Sequence, residues 1–347
     1  MKAVTYVEQD KIELTDVPKP TIQEPGDAIL KVTLSAICGS DLHVLNGRIP
    51  GMLPGSVIGH EFMGVVEEVG PDVKERKPGD RVLSSMMLPC GDCHMCRKGE
   101  GGKCANLRVF GYGSFFGDLN GGQTEYVRIP EADRILHPLD DTITDEQALF
   151  AGDILSTAVT VAVEGQIKEG DVVAVIGCGP VGLFAIQAAR TFKPSIIFAI
   201  DSVDQRLEMA QGFGATPVKL GEQHPVMTVQ NATEAAGADV VLECVGGGGP
   251  LNTALELVRP GGRIAVVGVS SLEDFTMNLG MVFVRGIDIK FVGTCNVPGI
   301  WDRTLEMVKD GHLQPDSIIS HRMKLDEALE GYELFKSREA MKVVLRP

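Results

Sequence analysis

Two short segments near the N-terminus combine residue types suited to metal binding and proton transfer. The first is CGSDLH, from Cys38 to His43, and the second is GHE, from Gly59 to Glu61. Thiolate and imidazole are preferred ligands of zinc, and the hydroxyl, second imidazole and carboxylates beside them suit proton transfer. The two segments therefore predict the first two ligands of a catalytic metal, Cys38 and His60.

Four further cysteines have the spacing of a second metal site. Between Cys90 and Cys104 they follow the pattern C-x2-C-x2-C-x7-C. Four thiolates this close in sequence can surround one zinc ion at about 2.3 Å each. Buried or disulfide-bonded cysteines are one alternative, and an iron–sulfur cluster is another. With every position filled by a thiolate, the zinc would be structural and its binding would drive folding of the lobe. The predicted ligands are Cys90, Cys93, Cys96 and Cys104.

A glycine-rich turn in the middle of the chain has the context of a dinucleotide site. The segment GCGPVG, 177–182, directly follows the apolar run 172–176 and opens a predicted helix at 180–192. Glycines here allow the tight turn, the approach of the pyrophosphate and close helix packing, while the helix N-terminus attracts phosphate. An ordinary α/β turn without a nucleotide is the alternative. The predicted cofactor contacts are Gly177, Gly179, Pro180, Val181 and Gly182.

The acidic residue Asp201 bears on the choice of cofactor. It lies nineteen residues after Gly182, at the end of the next predicted strand. A carboxylate there accepts hydrogen bonds from a ribose diol and repels a 2′-phosphate, which favours NAD over NADP. Arg206, one helical turn further on, is a second candidate contact along the adenosine and leaves NADP as the less favoured alternative.

The elements that must position these groups fall into two regions. Residues 1 to about 150 are short β-like runs broken by glycine and proline, whereas strand-like and helix-like segments alternate from 171 onward. The alternation predicts βαβ units and a doubly wound parallel sheet. Strands are predicted at 172–176, 196–200, 239–243, 263–267, 287–292 and 341–345, and helices at 180–192, 203–213, 226–236, 250–258, 300–310 and 325–336, with 145–162 as one long helix-compatible segment.

Length, charge and cysteine usage limit the class of protein. The chain has 347 residues, 44% of them hydrophobic, which suits two domains of about 150 residues each. A net charge of −15 argues against nucleic acid or an anionic membrane as the partner. No run of about 18 apolar residues and no basic-then-apolar leader is evident. We expect a cytoplasmic protein whose clustered cysteines bind metal.

Taken together, these features resemble the zinc-dependent alcohol dehydrogenases of the medium-chain dehydrogenase/reductase superfamily. The resemblance rests on CGSDLH, GHEF, the four-cysteine lobe, GCGPVG and Asp201, in the order of the family and over essentially the whole chain. It implies an α/β fold with a β-rich GroES-like catalytic domain, 1–154 completed by 294–347, and a Rossmann NAD-binding domain, 155–293. It also implies two zinc ions per chain, NAD, an alcohol or aldehyde substrate and a homo-oligomer, either a dimer or a tetramer.

The resemblance implies a third ligand for the catalytic zinc at Asp153, where the family's common pattern has a cysteine. The implied ligand set is Cys38, His60 and Asp153, with the fourth position open to the substrate oxygen; carboxylate is an acceptable zinc ligand. A helix N-cap is the alternative role for Asp153. Asp41 is a candidate partner for the far nitrogen of His60, where it would fix the tautomer of the ring.

The remaining roles concern the proton and the cofactor. By resemblance, Ser40 hydrogen-bonds the alcohol and His43 passes its proton toward solvent. Glu61 lies behind the zinc and ligates it transiently, with a buried ion pair as its alternative. Lys342 is implied to reach the pyrophosphate, and a solvated charge on a strand is its alternative.

The predicted reaction is reversible oxidation of an alcohol to an aldehyde or ketone. A polyol or sugar dehydrogenase and a formaldehyde-type dehydrogenase are the alternatives within the superfamily. A catalytically silent NAD-binding protein is disfavoured, because Cys38, Ser40 and His60 are all present. Apolar walls for the substrate are expected from Met86, Met87, Tyr112, Phe115 and Phe116.

Overall fold

The chain divides into two units. The structure is a computed structural model that describes residues 1–269 and 275–347. The first unit consists of 1–156 and 296–347, and the second of 157–295. The first segment ends at 156 where the sequence predicted 154, and the last segment begins at 296 where the sequence predicted 294.

Seventeen strands and twelve α-helices are present in the described residues. The strands are β1 (Lys2–Glu8), β2 (Lys11–Asp16), β3 (Ala28–Ile37), β4 (Glu61–Val69), β5 (Arg81–Ser84), β6 (Met87–Leu88), β7 (Arg108–Val109), β8 (Tyr126–Ile129), β9 (Leu136–Pro138), β10 (Val172–Ile176), β11 (Ile196–Asp201), β12 (Thr216–Lys219), β13 (Ala238–Glu243), β14 (Val258–Val266), β15 (Asp288–Phe291), β16 (His321–Lys324) and β17 (Val343–Arg346). The helices are α1 (Gly39–Leu45), α2 (His94–Arg97), α3 (Ala132–Ile135), α4 (Asp145–Ala148), α5 (Ile154–Glu164), α6 (Pro180–Arg190), α7 (Asp204–Gly212), α8 (Pro225–Ala232), α9 (Gly248–Leu257), α10 (Leu279–Arg285), α11 (Val297–Lys309) and α12 (Ala328–Lys336).

The first unit is built on a seven-stranded sheet of order β16-β17-β3-β4-β5-β9, with β8 also paired to β3. All its neighbouring strands are antiparallel except β16 and β17. The register pairs Ala36 with Glu61, so the end of β3 lies beside the start of β4. Ile37 also pairs with Val343 of β17, so the C-terminal strand lies beside the end of β3 as well. This register positions Cys38, just after β3, next to His60, just before β4.

The second unit holds a six-stranded parallel sheet of order β12-β11-β10-β13-β14-β15. Its central strands are almost continuously apolar and buried, the pattern of a sheet covered on both faces. The strand order reverses between β10 and β13, which is where ligands bind in doubly wound sheets. The predicted fold class, α/β with a β-rich domain and a Rossmann-type domain, is confirmed.

The segment 145–162, predicted as one helix-compatible run, is interrupted. After α4 the chain forms a 3₁₀ turn, Leu149–Gly152, and α5 begins only at Ile154. Asp153 has φ −153° and ψ −93°, outside the helical region. A Cβ on Gly152 would lie 2.4 Å from the carbonyl oxygen of Ser84, so the turn packs directly on the end of β5. This contact stops the helix and leaves Asp153 in a non-helical conformation between the two helical segments.

Two elements of the second unit, β12 and α10, were not predicted, and the helix predicted at 226–236 ends earlier, at Ala232. In the described part of the chain, no single helix is long and apolar enough to cross a membrane. A bent pair, Asp145–Gly152 with Ile154–Glu164, passes that test by length and composition only.

Candidate active site

Three potential metal ligands converge inside the first unit. Asp153 Oδ2 lies 3.6 Å from Cys38 Sγ and 3.1 Å from His60 Nε2, and all three side chains are buried. Zinc with ligands at about 2.0–2.3 Å in tetrahedral geometry holds them about 3.2–3.8 Å apart. One thiol, one imidazole and one carboxylate at these separations therefore fit a zinc ion with a fourth position left open.

Local structure fixes Cys38 relative to the helix that follows it. Cys38 has an extended backbone, φ −105° and ψ 154°, and α1 begins at the next residue. Its backbone N–H donates to Asp41 Oδ2 at 2.9 Å, an interaction typical of a helix N-terminus. Asp41 Oδ1 in turn lies 3.0 Å from His60 Nδ1, the contact expected from the sequence. The same carboxylate therefore holds both the thiol segment and the imidazole.

Ser40 and His43 occupy the same short helix. Ser40 Oγ is 3.3 Å from Cys38 Sγ and 3.1 Å from His60 Nε2, so it lies against the metal ligands. His43 is one turn further along α1 and half-buried, and its Nδ1 has no hydrogen-bond partner among the described residues. Burial lowers the pKa of His43, and the nearby charge of Arg48 lowers it further. The ring is thus neutral near pH 7 and able to accept a proton.

Glu61 and Lys342 form an ion pair that is buried on both sides. Burial raises the pKa of Glu61 to about 7, and the ammonium of Lys342 opposes that rise. Burial of Lys342 excludes the alternative of a solvated strand charge, and its implied contact with the pyrophosphate stays a prediction. Its side chain is 1% exposed, because the residue precedes β17 in the interior of the sheet.

Aromatic rings extend from the metal ligands. The ring of Tyr112 meets the imidazole of His60 edge-on, with centroids 5.1 Å apart, and Phe116 and Phe115 continue the series. Burial raises the pKa of Tyr112, so its hydroxyl stays protonated. Met87, expected as a substrate wall, is instead fully buried in the core.

The four-cysteine lobe has the dimensions of a tetrahedral thiolate site. Cys90 and Cys96 have their sulfurs 4.0 Å apart, and Cys93 and Cys104 have theirs 3.9 Å apart. Four sulfurs at about 2.3 Å from one zinc ion would be about 3.8 Å apart. All four predicted ligands are therefore brought together.

Backbone and side-chain contacts hold this lobe in shape. The backbone N–H groups of Cys90 and Asn106 donate to Cys104 Sγ at 3.2 and 3.3 Å. Arg134 donates to the carbonyl oxygens of Pro89 and Cys90, and a Cβ on Gly91 would lie 2.6 Å from its guanidinium carbon. Arg134 had no assigned role from sequence, because nothing near it in the chain marks it as a partner of the cysteines.

In the second unit, the glycine-rich turn lies between β10 and α6. Gly177 has φ +85°, and a Cβ on Gly182 would lie 1.8 Å from the Gly177 carbonyl oxygen, so both positions need glycine. A Cβ on Gly179 would meet only Arg206 Nη1, at 4.0 Å, which leaves room for a phosphate group. Pro180 and Val181 form the first turn of α6. The turn has the shape that a dinucleotide requires.

Asp201 lies at the end of β11 beside this turn. Its Oδ2 accepts from the backbone N–H of Cys178 at 2.7 Å, and its Oδ1 accepts from Ser202 and Val203 at 2.7 and 2.9 Å. The guanidinium of Arg206 is 3.8 Å from Oδ2. The structure thus places Asp201 and Arg206 together at the edge of the turn.

Known proteins of similar sequence and structure share both units. A family described as "Alcohol dehydrogenase GroES-like domain" matches residues 24–141, and one described as "Zinc-binding dehydrogenase" matches 180–310. The chain is 36% identical to zinc-type alcohol dehydrogenase B of Aspergillus flavus over 355 residues, which cover 100% of this chain and 81% of that protein.

Two solved structures carry the comparison further. Alcohol dehydrogenase TADH from Thermus sp. ATN1 is 44% identical with a TM-score of 0.95, covering 100% of this chain and 99% of that one. A Sinorhizobium meliloti protein bound to NADP is 28% identical with a TM-score of 0.88, again covering 100% and 99%.

The buried ion pair gives a stability prediction. We expect Lys342→Met to lower the free energy of unfolding by about 1–3 kcal/mol, because Glu61 loses its cation and is left buried without its hydrogen-bond partner. Urea unfolding measures this loss. The control Lys336→Met, at an exposed position of α12, should change stability by less than about 0.5 kcal/mol.

The double variant Glu61→Gln/Lys342→Met separates charge pairing from packing. It removes both charges together, so most of the lost stability should return. If Lys342→Met alone is as stable as the unmodified protein, the ion pair does not have the structural role given to it here.

Proposed function

The chain belongs to the zinc-dependent alcohol dehydrogenases of the medium-chain dehydrogenase/reductase superfamily, which makes it an oxidoreductase that acts on CH–OH groups. From this premise, we propose that Cys38, His60 and Asp153 hold its catalytic zinc. One observation carries the proposal: a thiol, an imidazole and a carboxylate converge within 4.8 Å in the buried interior of the first unit. Ser40 Oγ lies 3.3 Å from Cys38 Sγ and 3.1 Å from His60 Nε2, which supports a role for its hydroxyl in handling the substrate proton.

The residues around the zinc divide the work of proton removal. When bound, zinc polarises the alcohol oxygen, and the nicotinamide accepts the hydride. Ser40 accepts a hydrogen bond from the substrate hydroxyl. His43, one turn along α1, takes the proton onward, and its lowered pKa keeps the ring unprotonated and ready to accept. Asp41 holds His60 in one orientation throughout.

A second, structural zinc is proposed for the four-cysteine lobe. Cys90, Cys93, Cys96 and Cys104 fill all four positions, so the ion has no open site for substrate. The count of two zinc ions per chain rests on both clusters. Both clusters require reduced thiols to bind zinc, which supports a cytoplasmic location.

NAD is the cofactor we propose. The support is the carboxylate of Asp201 at the edge of the glycine-rich turn, because a negative charge there repels a 2′-phosphate. The NADP bound in the Sinorhizobium meliloti structure marks NADP as the alternative. Arg206, 3.8 Å from Asp201, is the residue through which a 2′-phosphate would gain a partner.

Simple alcohols and aldehydes are the proposed substrates. The support is the series of aromatic rings beside the proposed ligands: the ring of Tyr112 lies against His60, and Phe116 and Phe115 follow it. A polyol or sugar would need amide or charged groups there to satisfy its hydroxyls. A formaldehyde-type substrate remains the alternative that this apolar surface accommodates.

We also propose that the protein is a homo-oligomer joined through the second unit. Strand β15 is at the edge of the parallel sheet, and α10 precedes it. Phe283 and Val284 of α10 are 86% and 79% exposed, and Phe291 of β15 is 55% exposed. Among the described residues no strand pairs with the outer side of β15, and exposed apolar side chains near such an edge are typical of a surface that a second copy covers.

Removing the proposed third ligand tests the metal site. We expect Asp153→Ala to retain one zinc ion per chain instead of two and to lose at least about 100-fold in kcat/KM, since even outer partners of metal ligands contribute 10–100-fold. Zinc is counted by elemental analysis of the purified protein, and alcohol oxidation is followed by NADH absorbance. Asp141→Ala, at an exposed position, is the control and should keep both zincs. Two zincs in Asp153→Ala would place the third ligand elsewhere.

Neutralising Asp201 tests the cofactor preference. We expect Asp201→Asn to lower the ratio of kcat/KM with NAD to kcat/KM with NADP by about 10- to 100-fold, because a charged hydrogen bond to ribose is worth about 1.5–3 kcal/mol. Asp204→Asn removes an exposed charge three residues away and should leave the ratio unchanged. An unchanged ratio in Asp201→Asn would remove this residue from cofactor selection.

A further inference from the structure

We propose that Tyr332, on the C-terminal helix α12, is a positioning residue for the zinc ligand His60 and acts through Asp41. This inference rests on the zinc site proposed above. Tyr332 and His60 are separated by more than 270 positions in the chain, yet a continuous set of polar contacts joins them. The phenol touches neither Cys38, His60 nor Asp153 in any contact of the described structure.

The first link in this set joins His60 to Asp41. His60 Nδ1 lies 3.0 Å from Asp41 Oδ1, while Nε2 faces Asp153 Oδ2 at 3.1 Å. At this alignment Nδ1 has no hydrogen-bond partner among the described residues, so its attraction to Asp41 depends on how the carboxylate is turned. A proton on Nδ1 that faces Asp41 leaves the lone pair of Nε2 free for the metal. The orientation of the Asp41 carboxylate therefore decides the tautomer and the direction of the imidazole.

The second link fixes the Asp41 carboxylate from its other oxygen. Oδ2 accepts from the backbone N–H of Cys38 at 2.9 Å and from Gln123 Nε2 at 3.3 Å, and the Tyr332 hydroxyl lies 3.3 Å away. The same hydroxyl is 2.9 Å from Gln123 Oε1. Its single proton goes to the nearer acceptor, Gln123 Oε1, and orients the amide whose Nε2 donates to Asp41 Oδ2.

The amide of Gln123 can take only one orientation. One Nε2 hydrogen goes to the carbonyl oxygen of Ala36 at 3.2 Å, and the other goes to Asp41. A flipped amide would set Oε1 against these two acceptors, so Oε1 must face Tyr332. Only a donor satisfies Oε1 there, and the phenol supplies it.

The backbone beside His60 is shaped to admit this amide. Gly59 has φ +89°, and a Cβ on it would lie 2.4 Å from Gln123 Cγ. Any other residue before His60 would displace Gln123 and, with it, the contact to Asp41. A glycine required at this position shows that the chain maintains the approach of Gln123 to the metal-ligand segment.

The three side chains in this set of contacts are buried, so the loss of any one hydrogen bond is costly. Asp41, Gln123 and Tyr332 are 2%, 0% and 3% exposed, so a lost donor is not replaced by bulk water. The ring of Tyr332 belongs to an apolar cluster that also contains Ile37 and Val343. Phenylalanine would fill that apolar space equally well, so packing alone does not account for the hydroxyl.

Removing the hydroxyl alone tests the proposal. In the zinc-loaded Tyr332→Phe variant, we expect the catalytic zinc to pass to a chromophoric chelator about 3- to 10-fold faster than in the unmodified protein, a smaller effect than loss of a direct partner of the ligand. The four-cysteine zinc is an internal control, and its release rate should not change. Tyr126→Phe is the matched control: it makes the same substitution in β8, where the ring contacts the ammonium of Lys19 and not His60. It should alter neither release rate.

A double-mutant cycle shows whether Tyr332 acts through Asp41. With Asp41→Asn already present, Tyr332→Phe should add little further acceleration, because the carboxylate it orients is gone. Additive effects of the two substitutions on zinc release would contradict the proposal, and so would an unchanged release rate in Tyr332→Phe. Equal acceleration at both zinc sites would also contradict it, because it would indicate a general loss of stability. A protein with only the four-cysteine zinc would instead contradict the catalytic zinc site, and this inference with it.

Discussion

The first unit depends on keeping several acidic groups buried around one point. Cys38, Asp41, Glu61 and Asp153 are each more than nine-tenths buried, and Lys342 is the buried cation that pairs with Glu61. Burial raises the pKa of the Cys38 thiol, and the charge of Glu61 raises it further. Such an arrangement is costly unless a cation offsets it. A divalent metal coordinated by Cys38 would hold it as a thiolate and balance Asp153 as well.

Sheet register assembles this cluster from distant parts of the chain. The pairing of β3 with β4 brings Cys38 beside His60, and the pairing of β17 with β3 brings Lys342 into contact with Glu61. Asp153 reaches the cluster because the turn before it packs on β5. The C-terminal segment therefore contributes Tyr332 of α12 and Lys342, the residue before β17, to the surroundings of the proposed metal centre, although it contains no proposed zinc ligand.

Residue type and spacing predicted Cys38, His60 and the four lobe cysteines as metal ligands, and the family resemblance implied Asp153, but neither indicated which residues hold these side chains in place. The pairs and clusters of Cys, His and Asp are local patterns, so their chemistry is visible in the sequence. The break before Asp153 was not predicted, because 145–162 is mostly apolar and helix-compatible, and the turn before Asp153 packs on Ser84, which is distant in the sequence. The ion pair of Lys342 with Glu61 and the contacts of Tyr332 were not predicted for these two residues, since a single buried polar side chain has no periodic signal that names its partner.

In the second unit, the buried strands were predicted because both faces of the sheet are covered and their sequences are continuously apolar. The two missed elements lie where that rule weakens. Strand β12 is an edge strand of four residues that contains Pro217, which is tolerated only at an edge. Helix α10 turns apolar side chains outward, so its sequence lacks the polar face by which a surface helix is recognised.

The most direct test of the metal centre is an anomalous difference map at the zinc absorption edge from crystals of the purified protein. The account predicts two peaks per chain, one among the four lobe cysteines and one within about 2.0–2.3 Å of Cys38 Sγ, His60 Nε2 and a carboxylate oxygen of Asp153. A single peak at the cysteine lobe, or a second peak without Asp153 in its coordination, would contradict it.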